Sequence, residues 1–285
     1  MKPVWLIGFC LLVSTLDALA QQAGQPPAPA PADEIALSTG SLFIPPDSAP
    51  ETDRIDLVFH MHGSADAVAD LFLEADVPGV LITVHLGMFS SPYQRYFSDE
   101  RRFAALLDEA LGRLRVRWQK PRLQWGHICV VAFSGGYGGA RELMRQPAAF
   151  EQIDSMILLD CPHTGYTEAG EVVPAQMEGF LRFARAAVQG QKQLIVTHSE
   201  IVPGSYASTT ECADYLIAGV DGKRQPWTGS NALGMQRDST YEAGGLRIYG
   251  YQGDTAEAHM QHFYGMPLFL NQIHFSPLQS HETER

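Results

Sequence analysis

The stretch Ile128-Cys129-Val130-Val131-Ala132-Phe133-Ser134-Gly135-Gly136-Tyr137-Gly138-Gly139-Ala140 constrains the fold of this chain more than any other. Its apolar, β-branched first half reads as a buried strand. The run stops at Ser134, glycines follow, and Ala140-Arg141-Glu142-Leu143-Met144-Arg145 reads as a helix. A chain that passes from strand to helix in so few residues bends sharply, so the neighbours of the serine must be small. Gly136 meets that need on one side and Ala132 on the other. Gly138 and Gly139 let the helix lie close against the strand layer. Glycine-rich turns into helices also bind phosphates, but G-x-G-x-x-G and G-x-x-x-x-G-K-[ST] are both missing.

The bend has the form of a nucleophile elbow, in which a serine is held out at the end of a strand. The G-x-S-x-G pattern has glycine where this chain has Ala132, the next smallest side chain. Around the elbow, short apolar runs alternate with helical patterns. Strands are expected at Ser41 to Ile44, Ile55 to His62, Val80 to His85, His127 to Phe133, Ser155 to Leu159, Leu194 to Thr197 and Leu246 to Tyr251. Phe103, Leu106, Leu107, Ala110, Leu111 and Leu114 recur at helical spacing. Further helices are expected at Glu142–Arg145, Gln176–Val188, Thr209–Ala218 and Glu257–Phe263, with a capping-box pattern at Ser208 and Glu211. This alternation predicts an α/β fold, a mostly parallel central sheet with helices on both faces, in a single domain.

The N-terminus reads as an export signal over residues 1–20. Lys2 gives a positive start, Val4 to Leu16 is mostly apolar, and Ala18-Leu19-Ala20 places a cut after Ala20. Cys10 lies inside the apolar run, which argues against a lipid-anchored form. The apolar run is too short to span a bilayer and no later run is longer, so no stable membrane insertion is expected. Residues 21–33 form a Pro/Ala-rich linker, and 34–285 are the size of one large domain. The mature chain is expected to be secreted or periplasmic. Its net charge of −12, with both signs interspersed, argues against nucleic acid as a partner. Cys129, Cys161 and Cys212 remain after cleavage, an odd number that is no disulfide framework, although one pair could form.

In parallel sheets, ligand sites lie beyond the carboxyl ends of the strands. Those ends carry His60, His62 and Gly63; His85 and Gly87; Ser134 and Gly135; Asp160 and His163; His198 and Glu200; Asp254, His259 and His262. From Ile55 to His262, the order strand–His-Gly, strand, helix, strand–Ser–helix, strand–Asp, strand–Glu, strand–His resembles the α/β-hydrolase superfamily. The resemblance implies a secreted serine esterase or lipase-like enzyme with nucleophile, acid and histidine in that chain order. Ser134 is then the nucleophile and His259 the base, with His262 in reserve. The acid is Asp160, favoured over Glu200, with Asp254 third. The oxyanion hole falls to the amide of Gly135 and that of Gly63 or Ser64. The expected reaction is hydrolysis of a small-molecule or polymer-borne carboxylic ester through an acyl-enzyme, with no cofactor and no metal.

His62, Tyr137, His163 and His198 are placed along the pocket as substrate-binding residues. Tyr137 either contacts substrate or covers the sheet, and Trp125 and Trp227 are equally open. The helix Gln176–Val188 is placed beside the site as a modest cap. The polar, glycine-rich segment Asp221 to Gly244 is read as a loop over the site. Two other readings stand beside the hydrolase. His60 and His62 form H-x-H on one strand, both facing one way, as a metal-dependent hydrolase would need. A non-catalytic binding protein on a hydrolase fold is the third.

Overall fold

The computed structural model describes residues 33–275, which fall within one compact unit. The export signal, the cut after Ala20 and the linker up to residue 32 lie outside the described residues, as do residues 276–285. Asp33, read as the end of the linker, opens the first strand.

Strands β1 (Asp33–Ala36), β2 (Ser41–Ile44), β3 (Arg54–Met61), β4 (Val80–Val84) and β5 (Gln124–Phe133) form the first half of one sheet. The second half is β6 (Ser155–Leu159), β7 (Gln193–His198), β8 (Gln225–Ser230), β9 (Gln236–Ala243) and β10 (Leu246–Tyr251). The spatial order is β1-β2-β4-β3-β5-β6-β7-β10-β9-β8. The six central strands, β4 to β10 in that order, are parallel, and both edges are antiparallel. The sheet is therefore parallel through its centre, as expected, with antiparallel strands added at both edges. The fold is α/β with helices on both faces, as the alternation of patterns and the superfamily resemblance imply.

The helices are α1 (Ala65–Ala75), α2 (Ser90–Phe97), α3 (Arg101–Arg117), α4 (Tyr137–Arg145), α5 (Pro147–Gln152), α6 (Pro174–Val188), α7 (Thr209–Gly219), α8 (Ala256–Tyr264) and α9 (Met266–Leu270). Side chains of a strand alternate between faces, so each central strand feeds two cores. Leu57, Phe59 and Met61 of β3 and Val130 and Ala132 of β5 meet α2, α3, α4, α6 and α7. Val58 of β3, with Val131 and Phe133 of β5, meets α1, α8 and α9. Each fully buried Leu or Phe contributes roughly 1.5–3 kcal/mol of transfer free energy. Helix α3 buries the six periodic residues expected of it. At α7 the Ser208 hydroxyl accepts from the Glu211 amide and the Glu211 carboxylate accepts from the Ser208 amide, the capping box read from the sequence.

The segment read as a loop over the site is instead the hairpin β8–β9, paired antiparallel to β10 at the sheet edge. Its strand β8 is exposed at almost every position and contains Pro226 and Gly229, so neither alternation nor β-propensity announced it. Cys129, Cys161 and Cys212 are buried and unpaired. Among the described residues, no helix is long and apolar enough to cross a membrane.

Candidate active site

The register of the parallel strands sets the site. Met61 pairs with Ala132 and Phe133 pairs with Leu159. Ser134 and Asp160, which follow β5 and β6, are therefore level, and His62, which follows β3, is level with Phe133 just before the serine. His62, Ser134 and Asp160 have left-handed backbones, with φ of 79°, 46° and 43°. For residues with a Cβ this conformation costs roughly 1–2 kcal/mol each. Three neighbouring strands thus end in strained, non-glycine residues, a pattern that clusters at functional sites.

At the elbow, Ser134–Gly136 form one 3₁₀ turn that runs directly into α4. A Cβ on Gly136 would lie 2.3 Å from the Met61 carbonyl oxygen, and one on Gly138 would lie 2.3 Å from that of Ser90. The glycines are there because backbone passes through the space a side chain would need. Ser134 is partly exposed and its hydroxyl makes no hydrogen bond within the described residues.

His259, on α8, stacks on Phe133, the residue before the serine, with ring centroids 4.7 Å apart. Its Nδ1 donates to Asp160 Oδ2 at 2.6 Å, which leaves Nε2 unbonded. Asp160 is 1% exposed. It also accepts from the Ser199 amide (2.9 Å), the Ser199 hydroxyl (2.9 Å) and the Thr209 hydroxyl (2.8 Å). Burial alone would raise its pKa. The His259 hydrogen bond, the fields of His262 and His259 and the Thr209 hydroxyl outweigh that and hold the carboxyl well below its usual range. The pair is thus an ionised carboxylate fixing one tautomer and orientation of an imidazole.

The loop after β3 carries the second group of donors. His62 Nδ1 donates to the Gly87 carbonyl at 3.1 Å and lies 3.1 Å from the Tyr93 hydroxyl. Burial, then the field of His85, lowers the pKa of His62, so it is neutral. The Gly63 amide points at His85 Nδ1, 3.4 Å away, a long bond. The amides of Ser64 and Gly135 have no acceptor among the described residues, so both are available to an oxyanion.

The remaining candidates are spread around this centre. Glu200 accepts from the Gly253 amide at 2.8 Å and makes no bond to either histidine. Asp254 is exposed in the loop before α8. His262 is 1% exposed and bonded to the Thr197 hydroxyl at 2.7 Å, and burial brings its pKa down to about 4. Thr197 also accepts the Asp160 amide, so His262 braces the acid's backbone. His163 donates Nδ1 to the Ala207 carbonyl and packs between Tyr137 and Tyr206. His198 is buried and donates to the Thr210 hydroxyl. Burial, then the Arg224 charge, brings its pKa down to about 3. His198 lines a cleft beyond β7 and does not touch Ser134, Asp160 or His259 by a hydrogen bond. Trp125 and Trp227 lie on β5 and on the edge strand β8.

His60 and His62 sit in different surroundings. His60 is fully buried, edge-on to Phe263, with both ring nitrogens unpartnered. His62 follows the end of β3 in a left-handed turn, and its Nδ1 is engaged. Among the described residues, no three His, Cys, Asp or Glu side chains gather as a ligand set. Sequence reading missed Ser199 and Thr209, which hold the acid. For Thr209 a signal existed, since the Ser208 cap placed it first on α7.

No family model matches the chain, and no curated protein does. Among solved structures it is similar to a thermostable esterase, at 14% identity and a TM-score of 0.41, covering 85% of this chain and 60% of that one. It is also similar to the histone deacetylase Clr3 (10%, TM-score 0.37, 94% of this chain and 39% of that one). A third is a glucuronoyl esterase from Solibacter usitatus (10%, TM-score 0.44, 88% and 79%). The chain spans less than two thirds of the length of the first two. Scores of this size describe a likeness in outline and assign no chemistry.

Proposed function

We propose that this chain is a serine hydrolase of the α/β-hydrolase type that cleaves carboxylic esters. The observation that carries the reading is the bond from His259 to Asp160, the residue level in strand register with a serine held in a left-handed backbone. Ser134 Oγ attacks the ester carbonyl carbon and its proton passes to His259 Nε2. The carbonyl π electrons move to oxygen, where the amides of Gly135 and of Ser64 or Gly63 hold the charge. Each such donor is worth about 10²–10³ in rate. The intermediate collapses with cleavage of the C–O bond, and the alkoxide takes the proton from the imidazolium. Water then repeats the sequence on the acyl-enzyme, releasing the acid and restoring Ser134. Asp160 stays ionised throughout and stabilises the imidazolium. An ester is favoured over an amide because its oxygen leaving group needs less activation than an amine.

Export follows from residues 1–20 on this reading, with the mature protein periplasmic or released; the N-terminus of the protein recovered outside the cytoplasm should be Gln21. The deciding experiment is a fluorophosphonate probe on the mature protein, with the adduct located by peptide mass spectrometry. Labelling at Ser134, abolished by His259→Ala, is the expected result. A folded protein that takes no label would overturn the assignment and favour a binding role.

A further inference from the structure

Of the described phenylalanines only Phe89 is exposed, at 74%, and of the described methionines only Met88 is, at 78%. The two are adjacent, on the loop between β4 and α2. This loop lies against the elbow: the Met88 carbonyl oxygen and the Ser90 amide are 3.0 Å and 3.3 Å from where a Gly135 Cβ would be. It is also pinned from beneath. His62 donates to the Gly87 carbonyl, and the Leu86 amide donates at 3.0 Å to the hydroxyl of Tyr93, which is fully buried. A fixed loop thus presents two large apolar side chains to water beside the residue that follows the nucleophile.

We infer that Met88 and Phe89 form a shelf for an apolar acyl group of the ester, an assignment that rests on the hydrolase reading above. The leaving alcohol must lie where His259 can protonate its oxygen. His259 is bound to Asp160, which follows β6, whereas Met88 and Phe89 follow β4, on the other side of β5. The shelf therefore faces the acyl half. Beyond β7, on the far side, a cleft of about 420 Å³ mixes the charged Glu211, Arg224 and Asp238 with Tyr166, Ile201 and Val202, so its wall is not uniformly apolar as the shelf is. An unbranched thioether and a ring suit acyl groups of varied shape. Each methylene buried on the shelf improves kcat/KM by up to about fourfold.

The test compares p-nitrophenyl acetate, butyrate and octanoate, whose leaving group is constant, on the wild type and on Met88→Ser/Phe89→Ser. The wild type should favour octanoate over acetate by about tenfold or more. The double variant should lose that preference, with acetate turnover within about twofold and Ser134 still labelled by the probe at the wild-type rate. Equal losses on all three esters, no loss on octanoate, or a wild-type preference for acetate would overturn the shelf while leaving the hydrolase standing. A wild type that sediments as a dimer, with a monomeric variant of unchanged octanoate rate, would make the patch a contact between copies and also overturn it. A wild type inert to all three esters and to the probe would remove the hydrolase reading, and the shelf with it.

Discussion

Three buried histidines make the stability of this protein steeply dependent on pH. Burial brings the pKa of His60 to about 3, that of His198 to about 3 and that of His262 to about 4, from 6.5. All three are under 4% exposed. In the unfolded chain each takes up a proton as the pH falls through 6.5, while in the folded chain each stays neutral until near its lowered value. Stability is therefore full above pH 6.5 and falls as the pH drops. Near pH 5 the unfolded state holds about three more protons, a slope of about 4 kcal/mol per pH unit. Relative to pH 7, the loss at pH 5 is about 2 kcal/mol per histidine, about 6 kcal/mol together. That is comparable to the whole stability of an ordinary domain. His62 and His163, also lowered by burial, act in the same direction. Asp160, whose folded pKa is depressed, contributes stability above its unfolded pKa of 3.8 and loses it only below, outside this window. The assay is urea unfolding at steps from pH 7.5 to 5, with His60→Leu beside the wild type. The variant should lose about a third of the slope and gain about 1 kcal/mol at pH 7, because the His60 ring nitrogens have no partner. A wild-type curve that is flat from pH 7 to 5, or a variant with the wild-type slope, would refute the reasoning.

Three other outcomes follow from the site. Asp160→Asn should lower kcat by about 10⁴, because the amide has one acceptor oxygen and cannot accept from His259 on one side and from the Ser199 amide on the other; Glu200→Gln should stay within about threefold, the effect of one hydrogen bond. Parallel steady-state assays decide, and the reverse order would make Glu200 the acid. Gly136→Ala should destabilise the fold by about 3 kcal/mol or more, since its methyl would meet the Met61 carbonyl; a melting temperature within a degree of wild type would contradict the elbow packing. Thr209→Val should lower kcat with KM nearly unchanged and raise the acidic limb of the kcat profile, since one donor to Asp160 is lost; an unchanged profile would mean the bond is structural only.

The central strands and α3 were legible because their apolar patterns are strong and local. Ser134 was legible as a bend because strand, serine and glycines are contiguous. The hairpin β8–β9 was not, since an edge ribbon wet on both faces has no hydrophobic period. Helix α2 hides for a related reason: it buries only Tyr93 and Phe97, one contact per turn. His60 and His62 alternate correctly on paper, yet the chain leaves the strand at Met61, so their shared face meant little. The bond between Asp160 and His259 spans 99 positions of sequence. Chain order suggested the partners, but only the packing of α8 onto Phe133 brings the ring to the carboxylate. Ser199 and Thr209 reach Asp160 from two further elements, and no local pattern encodes that convergence.

The left-handed backbones at His62, Ser134 and Asp160 have a consequence for evolution under selection. Glycine, and to a lesser degree asparagine, adopts that conformation without penalty. A library of this chain screened for heat resistance alone should accept glycine early at Ser134, whose hydroxyl has no partner among the described residues, erasing a working side chain. It should refuse glycine at Asp160, where four accepted hydrogen bonds outweigh the backbone cost. Screened for turnover instead, the same positions should refuse every replacement, and compensating mutations should accumulate in the two cores. Comparing the two screens would map, without any substrate in hand, where this fold trades durability for chemistry.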